Sequence, residues 1–326
     1  MEIRLKGANF LLHIIYLMHL HNHNHSTEKK GLRLWIAIIL NVGITAAQVV
    51  GGIFAGSLAL LSDALHNLSD VLALSISLFA RKLVNKKSSS SKTFGFRRAE
   101  ILAAFINAAS LLVVSFYLII EAIKRLILSP DEIVDGNLVM IMAGVGIAGN
   151  ALSVAVLHKE SGENLNMKSA YLHLVSDMLF SFAVLAGGFV MVTFGIFWVD
   201  PALSILIALY LIAISWKLFY KSLTVLMQFT PGKIDLTRIA AVISKYPEIE
   251  NIHHIHAWEL NEDEIHFEAH VQIKENITID KVCKLLQKVE EELQIQFGLT
   301  HITLQPEFNR DCGEELFVEE RHHHSS

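Results

Sequence analysis

SDALHNLSDVLALSISL, residues 62–78, decides how this chain is read. The stretch is apolar enough to lie inside a membrane-spanning segment, yet it carries His66 and Asp70 in its middle. Residues four apart on an α-helix stand one above the other on the same face. One imidazole and one carboxylate therefore point the same way, at a depth where ionisable side chains are costly and functional by default. NMKSAYLHLVSD, residues 166–177, repeats the arrangement with His173 and Asp177.

The rest of the chain supports a membrane setting. Of 326 residues, 52% are hydrophobic and 18% charged, against about 25% charged in a soluble domain. A net charge of −5 gives no support to nucleic-acid binding. Cys283 and Cys312 make neither a disulfide framework nor a C-x-x-C metal motif, and read as reduced thiols of a cytosolic part.

Residues 1–31 form a His-containing extension. Its apolar run, 10–20, is shorter than the about 20 residues a spanning helix needs, and no small-residue cleavage site follows it. It reads as a membrane-surface segment or a dispensable extension, and its HLHNHNH tract as either a loose metal holder or a tail without a required role. Six apolar spans follow within 32–230, at about 34–54, 57–80, 99–123, 136–157, 169–194 and 201–223. Each is long enough for a hydrocarbon core of about 30 Å. The loop 81–98 carries Arg81, Lys82, Lys86, Lys87, Lys92, Arg97 and Arg98 with no acid. Further basic residues attend the same side, so both termini are expected in the cytoplasm.

After Pro231 the pattern becomes that of a small α+β domain, 231–308. A helix at 235–245 precedes strands at 251–260 and 264–273. A second helix carries Val282, Leu285, Leu286, Val289 and Leu293 at helical spacing, and a last strand covers 301–307. The order αββαβ implies a two-layer fold. Residues 309–326 form a polar tail.

Two His and two Asp on two helices supply four nitrogen and oxygen donors. That set suits a four-coordinate zinc ion, with cadmium, cobalt and ferrous iron also compatible. The plainer reading, a hydrogen-bonded packing histidine, fits one such pair but not two, each in mid-span on its own helix. Metal enters such a site only as protons leave, so the same residues suit exchange of metal for protons. Asp63, one turn before His66, reads as a helix cap or an ion guide. Asn41, Gln48, Asn107 and Asn150 read as interhelical hydrogen-bond partners.

GSLALLSDALHNLSD, FGFRRAEILAAFINA, NMKSAYLHLVSD, VDPALSILIALYLI, IHHIHAWEL, FEAHVQI and HITLQPE together resemble the cation diffusion facilitators. The resemblance spans about 32–307 and implies a homodimeric metal/proton antiporter in a bacterial inner membrane. Six transmembrane helices would carry a cytoplasmic metallochaperone-like domain. The family's transport site falls on His66, Asp70, His173 and Asp177, in the His/Asp form of the zinc-transporting branch. In the cytoplasmic domain, zinc positions of the family fall on His253, His270 and Glu307, with His301 a neighbour. Gln305 and His254 depart from the residues some members carry there, which leaves the number of cytoplasmic ions open. The loop segment KKSSSSK lacks the His and Asp that some members place there, so no metal site is expected in it. A desaturase-type di-iron enzyme would need more histidine boxes at span ends, and a receptor that binds metal without moving it remains the third reading.

Overall fold

A computed structural model describes residues 27–84, 86–129, 132–158 and 165–310; among helical side chains, those of 27–38, 40, 74, 77, 78, 81, 156–158 and 165–173 lie outside the described set. The two terminal segments singled out above, the His tract and the polar tail beyond 310, also lie outside it. Six long helices come first: α1 (Thr27–Ala55), α2 (Leu58–Val84), α3 (Ala99–Leu128), α4 (Gly136–His158), α5 (Leu165–Phe194) and α6 (Val199–Leu226). The αββαβ part follows as α7 (Leu236–Ile243), β1 (Ile249–Glu259), β2 (Ile265–Ile273), α8 (Ile279–Phe297) and β3 (His301–Glu307). The chain divides into two compact units, 1–76 with 106–217, and 77–105 with 218–326.

In the first unit burial is inverted relative to a soluble protein. Apolar side chains such as Val113, Phe116, Leu179 and Leu206 face outward, while Thr45, Gln48, Asn67, Ser181 and Ser204 are buried. That is the arrangement hydrocarbon selects, since polar groups inside a bilayer must find partners within the protein. Among the described residues, α3, α6 and the greater parts of α4 and α5 are each long and apolar enough to cross a membrane. α2 falls outside that set because of the polar residues it carries inward.

Helix α4 packs on α5 and α1 through a line of glycines. A Cβ on Gly136 would lie 3.1 Å from the Gly188 carbonyl, and one on Gly146 would lie 2.5 Å from Gln48 Nε2. Close backbone approach of this kind is how membrane helices gain contact without a hydrophobic drive. At the same end as Gly136, where Asp135 N donates to the Ala55 carbonyl, the α1–α2 turn passes through Gly56 at φ +67°. There the buried Asp200 of α6 caps α2, accepting from Leu58 N at 2.8 Å and Ser57 Oγ at 2.5 Å. Ser57 Oγ in turn accepts from Leu60 N at 3.0 Å. The orphan N–H groups of a helix start need such acceptors.

In the second unit, α7 and α8 lie on one face of a three-stranded sheet of order β1-β2-β3. β1 and β2 are antiparallel, whereas β2 and β3 are parallel. Ile239, Ile243, Ile252, Phe267, Val271, Val289 and Leu293 form its core. The helix and strand order is the one expected from the periodicity. Asp235 caps α7 by accepting from the N–H groups of Thr237 and Arg238, which holds its carboxyl below the usual range, the Thr237 hydroxyl contributing most. α8 ends on Gly298 at φ +66°, a left-handed closing residue. Two ion pairs, Lys221–Glu262 at 2.6 Å and Lys233–Glu259 at 3.3 Å, tie the segment after residue 217 to the β1–β2 region.

Candidate metal sites

α2 and α5 bring the first cluster together. His66 Nε2 stands 3.4 Å from Asp177 Oδ1, and His66 Nδ1 stands 3.8 Å from Asp70 Oδ2. One ligand atom from each of the three lies within 4.8 Å of the others. His66 is 8% exposed and Asp177 1%, so the pair is shut away from water. Two ligands on a tetrahedral zinc, each about 2.0–2.1 Å from the ion, are roughly 3.3 Å apart. The His66–Asp177 separation has that size. Phe180 and Tyr210 present their rings edge-on to the His66 imidazole, with centroids at 6.0 and 6.4 Å, and wall this side of the site with carbon. His173 lies one turn before Asp177 on α5; its side chain is outside the described residues.

Asp63 is not the helix cap; Asp200 and Ser57 fill that role. Asp63 is instead fully buried and accepts from Gln48 Nε2 at 3.0 Å and Ser181 Oγ at 2.9 Å. Gln48 Oε1 accepts from Asn67 Nδ2 at 3.1 Å, so α1, α2 and α5 share one polar network beside His66. Sequence reading missed Ser181, although its place one turn after Asp177 was the available signal. Asn107 exchanges hydrogen bonds with Ser69, the closer at 3.1 Å. Gln48 and Asn107 thus reach across helices as expected. Asn41 Oδ1 and Asn150 Nδ2 find no hydrogen-bond partner among the described residues.

The second cluster sits on the sheet. His253 of β1 pairs in register with His270 of β2, and their rings stand 5.4 Å apart at 74°. Glu307, at the end of β3, reaches His270 Nδ1 at 3.0 Å and His253 Nε2 at 3.3 Å. The donor set fits a zinc ion on its own evidence. His253 is 2% exposed, and among the described residues its ring nitrogens make no hydrogen bond, the Glu307 oxygen 3.3 Å from Nε2 standing at ion-pair distance; a buried imidazole rarely goes without such a bond. Burial holds the His270 imidazole below its ordinary pKa; Glu307 opposes that, while His254, His253 and Arg310 reinforce it. Glu307 also accepts from Gln305 Nε2 at 3.0 Å and Arg310 at 2.8 Å.

His301 does not join this cluster, which corrects its expected place as a neighbour. It lies six residues from Glu307, about 20 Å along a strand, and pairs with His266 across the parallel β2–β3 ladder. The two rings are 4.6 Å apart, and Trp258 stacks on His266 at 5.3 Å. His254 is the residue that comes near instead. A register shift in β1 between His253 and His256, with His254 at φ +50°, lays its ring on His270 at 4.7 Å.

Comparison with known proteins identifies the family. The family model of the cation efflux transmembrane domain matches residues 34–227, and that of the cation efflux protein cytoplasmic domain matches 231–308. A cadmium, cobalt and zinc/H(+)-K(+) antiporter of Bacillus velezensis is 38% identical over 93% of this chain and 99% of its own length. Zinc transporter ZitB of Pectobacterium atrosepticum is 32% identical over 93% and 94%. The metal cation efflux system protein CzcD of Cupriavidus metallidurans is 34% identical over 88% and 89%.

Proposed function

We propose that this chain, which belongs to the cation efflux family of cation diffusion facilitators, exports zinc from the cytoplasm in exchange for protons. Family membership makes it an integral membrane transporter and not an enzyme. The observation that carries the finer reading is the buried pair His66–Asp177 at 3.4 Å, one ligand from α2 and one from α5. With Asp70 and His173 they make a His2Asp2 set for zinc, the ion named for ZitB, and for cadmium and cobalt, which the Bacillus relative's name includes. Zinc can bind only deprotonated imidazole and carboxylate, so each arrival releases protons and each reprotonation expels metal. A site that faces the two sides in turn thereby couples the two flows. Both termini in the cytoplasm, a bacterial inner-membrane location and a homodimer held through the cytoplasmic domain complete the proposal. The matched cytoplasmic-domain model supports the dimer, and the basic loop 81–98 supports the orientation.

The deciding experiment is flux in proteoliposomes with a zinc dye and a pH dye in the same vesicles. Zinc should move with protons running the other way, and Asp177→Ala should stop both while the protein still inserts. Zinc flux at the original rate in Asp177→Ala would place the transport site elsewhere. Zinc binding without any flux would favour a receptor.

A further inference from the structure

The basic connection 81–98 bounds a cleft in the second unit that lies apart from both candidate metal clusters. It is a half-open cleft of about 850 Å³ between the connection and the near ends of β2 and β3. Lys86, Lys87, Ser88 and Arg97 line one side, and His266 and His301 the other. The walls are built. Arg97 is ion-paired to Glu264, Phe94 meets His266 edge-on at 5.6 Å, and Lys92 lies over Phe96 at 4.4 Å. Gly95 closes the turn at φ +62°. The cleft's one carboxylate, Glu264, is thus answered by Arg97. Lys86 and Lys87 form no ion pair with any described residue, so the lining keeps a surplus of positive charge.

Cation chemistry does not suit the place. Among the described residues no third His, Cys, Asp or Glu joins His266 and His301 in a metal-sized set. The His266 pKa is lowered, by burial first and then by the positive field of His301, Arg97 and Arg98, with Glu264 opposing. Two lysines, a serine hydroxyl and imidazole N–H groups are instead donors for the oxygens of a phosphate group. A chloride would leave most of the volume empty, whereas clefts of about 300–1,000 Å³ take whole organic ligands. Val84 and Ala99, the ends of α2 and α3, flank the connection, and basic clusters next to membrane helices attract phospholipid headgroups.

We propose that this cleft binds a phosphate ester, either the headgroup phosphate of an anionic lipid or a soluble phosphomonoester. The full-length protein is tested in two arms. Native mass spectrometry counts phosphatidylglycerol retained from mixed phosphatidylglycerol and phosphatidylcholine micelles, and calorimetry measures glycerol 3-phosphate binding. Lys86→Gln/Lys87→Gln should weaken whichever probe binds by at least about tenfold, the loss of two charged donors. Lys281→Gln, an equal kind of charge change on exposed α8, should leave it unchanged. Retention of the lipid alone identifies a lipid site, and binding of glycerol 3-phosphate alone a soluble ligand. Binding of neither probe, or equal binding by the double variant and the parent, overturns the proposal.

Discussion

His66 touches Asp70 and Asp177 through different ring nitrogens, and Nε2 is the one that faces the neighbouring helix. In the proposed site His66 is a softer donor beside Asp70 and Asp177, oxygen ligands that hard and borderline ions share, so the ion preference is expected to depend on it. His66→Asp is expected to keep transport but shift it toward manganese-like ions; competition flux assays with zinc unchanged as the preferred ion would refute that role. At the sheet site, Glu307 answers both His253 and His270. Glu307→Gln should remove one bound zinc per chain in equilibrium dialysis while leaving the secondary structure intact. The pH sign follows from His270, whose pKa is lowered. A lowered pKa means the imidazole is more than half neutral where an ordinary one is half protonated, near pH ~6.5. Zinc binding there should therefore persist as pH falls through ~6.5 and fail only at lower pH. Half-loss at or above ~6.5 in a titration of the Asp177→Ala protein would contradict this.

At the scale of elements, the i and i+4 spacing of His66 and Asp70 was fully legible, because it depends on one helix alone. The partners of Asp63 were not. Gln48 and Ser181 lie fifteen residues before it and 118 after it, and no local pattern says which helices adjoin. The same limit explains His301. Its strand face was readable, but parallel pairing with β2 decides that it meets His266 rather than His270, and strand order is a tertiary fact. The register shift that brings His254 onto His270 is likewise set by pairing, not by local alternation. Gly146 tests the buried network as a unit. A Cβ there would fall 2.5 Å from Gln48 Nε2 and 3.2 Å from Ser181 Oγ, so Gly146→Ala must push Gln48 off Asp63. Membrane insertion should be normal and zinc flux reduced by about tenfold or more, the scale of one to two lost buried hydrogen bonds. Parent-like flux would show that Asp63 needs neither partner.

For the whole molecule, composition and charge placement were enough to separate a membrane part from a soluble α+β part, since hydrocarbon and water select opposite surfaces. What composition could not give is the division of the chain by contacts, which assigns 77–105 to the same unit as 218–326. The association state belongs to this scale too. Light scattering of the purified full chain should give twice the mass of one 36.4 kDa chain, and a purely monomeric peak at micromolar concentration would remove the dimer from the proposal.

The cap that Asp200 places on α2 has a mechanical meaning. It pins Leu58 to α6, so any swing of α2 turns about that end as a rod turns on a fulcrum. His66 is eight residues from the pivot, about 12 Å, and Val84 is twenty-six, about 39 Å. A sideways step of 1 Å by the imidazole is then geared up to about 3 Å at the far tip. Spin labels at Ala59, one residue from the pivot, and at Lys82, twenty-four residues from it, each measured against a fixed label on α6, should show a zinc-dependent change of about 3 Å at Lys82 and almost none at Ala59. Equal displacements at both would mean that α2 slides along its length.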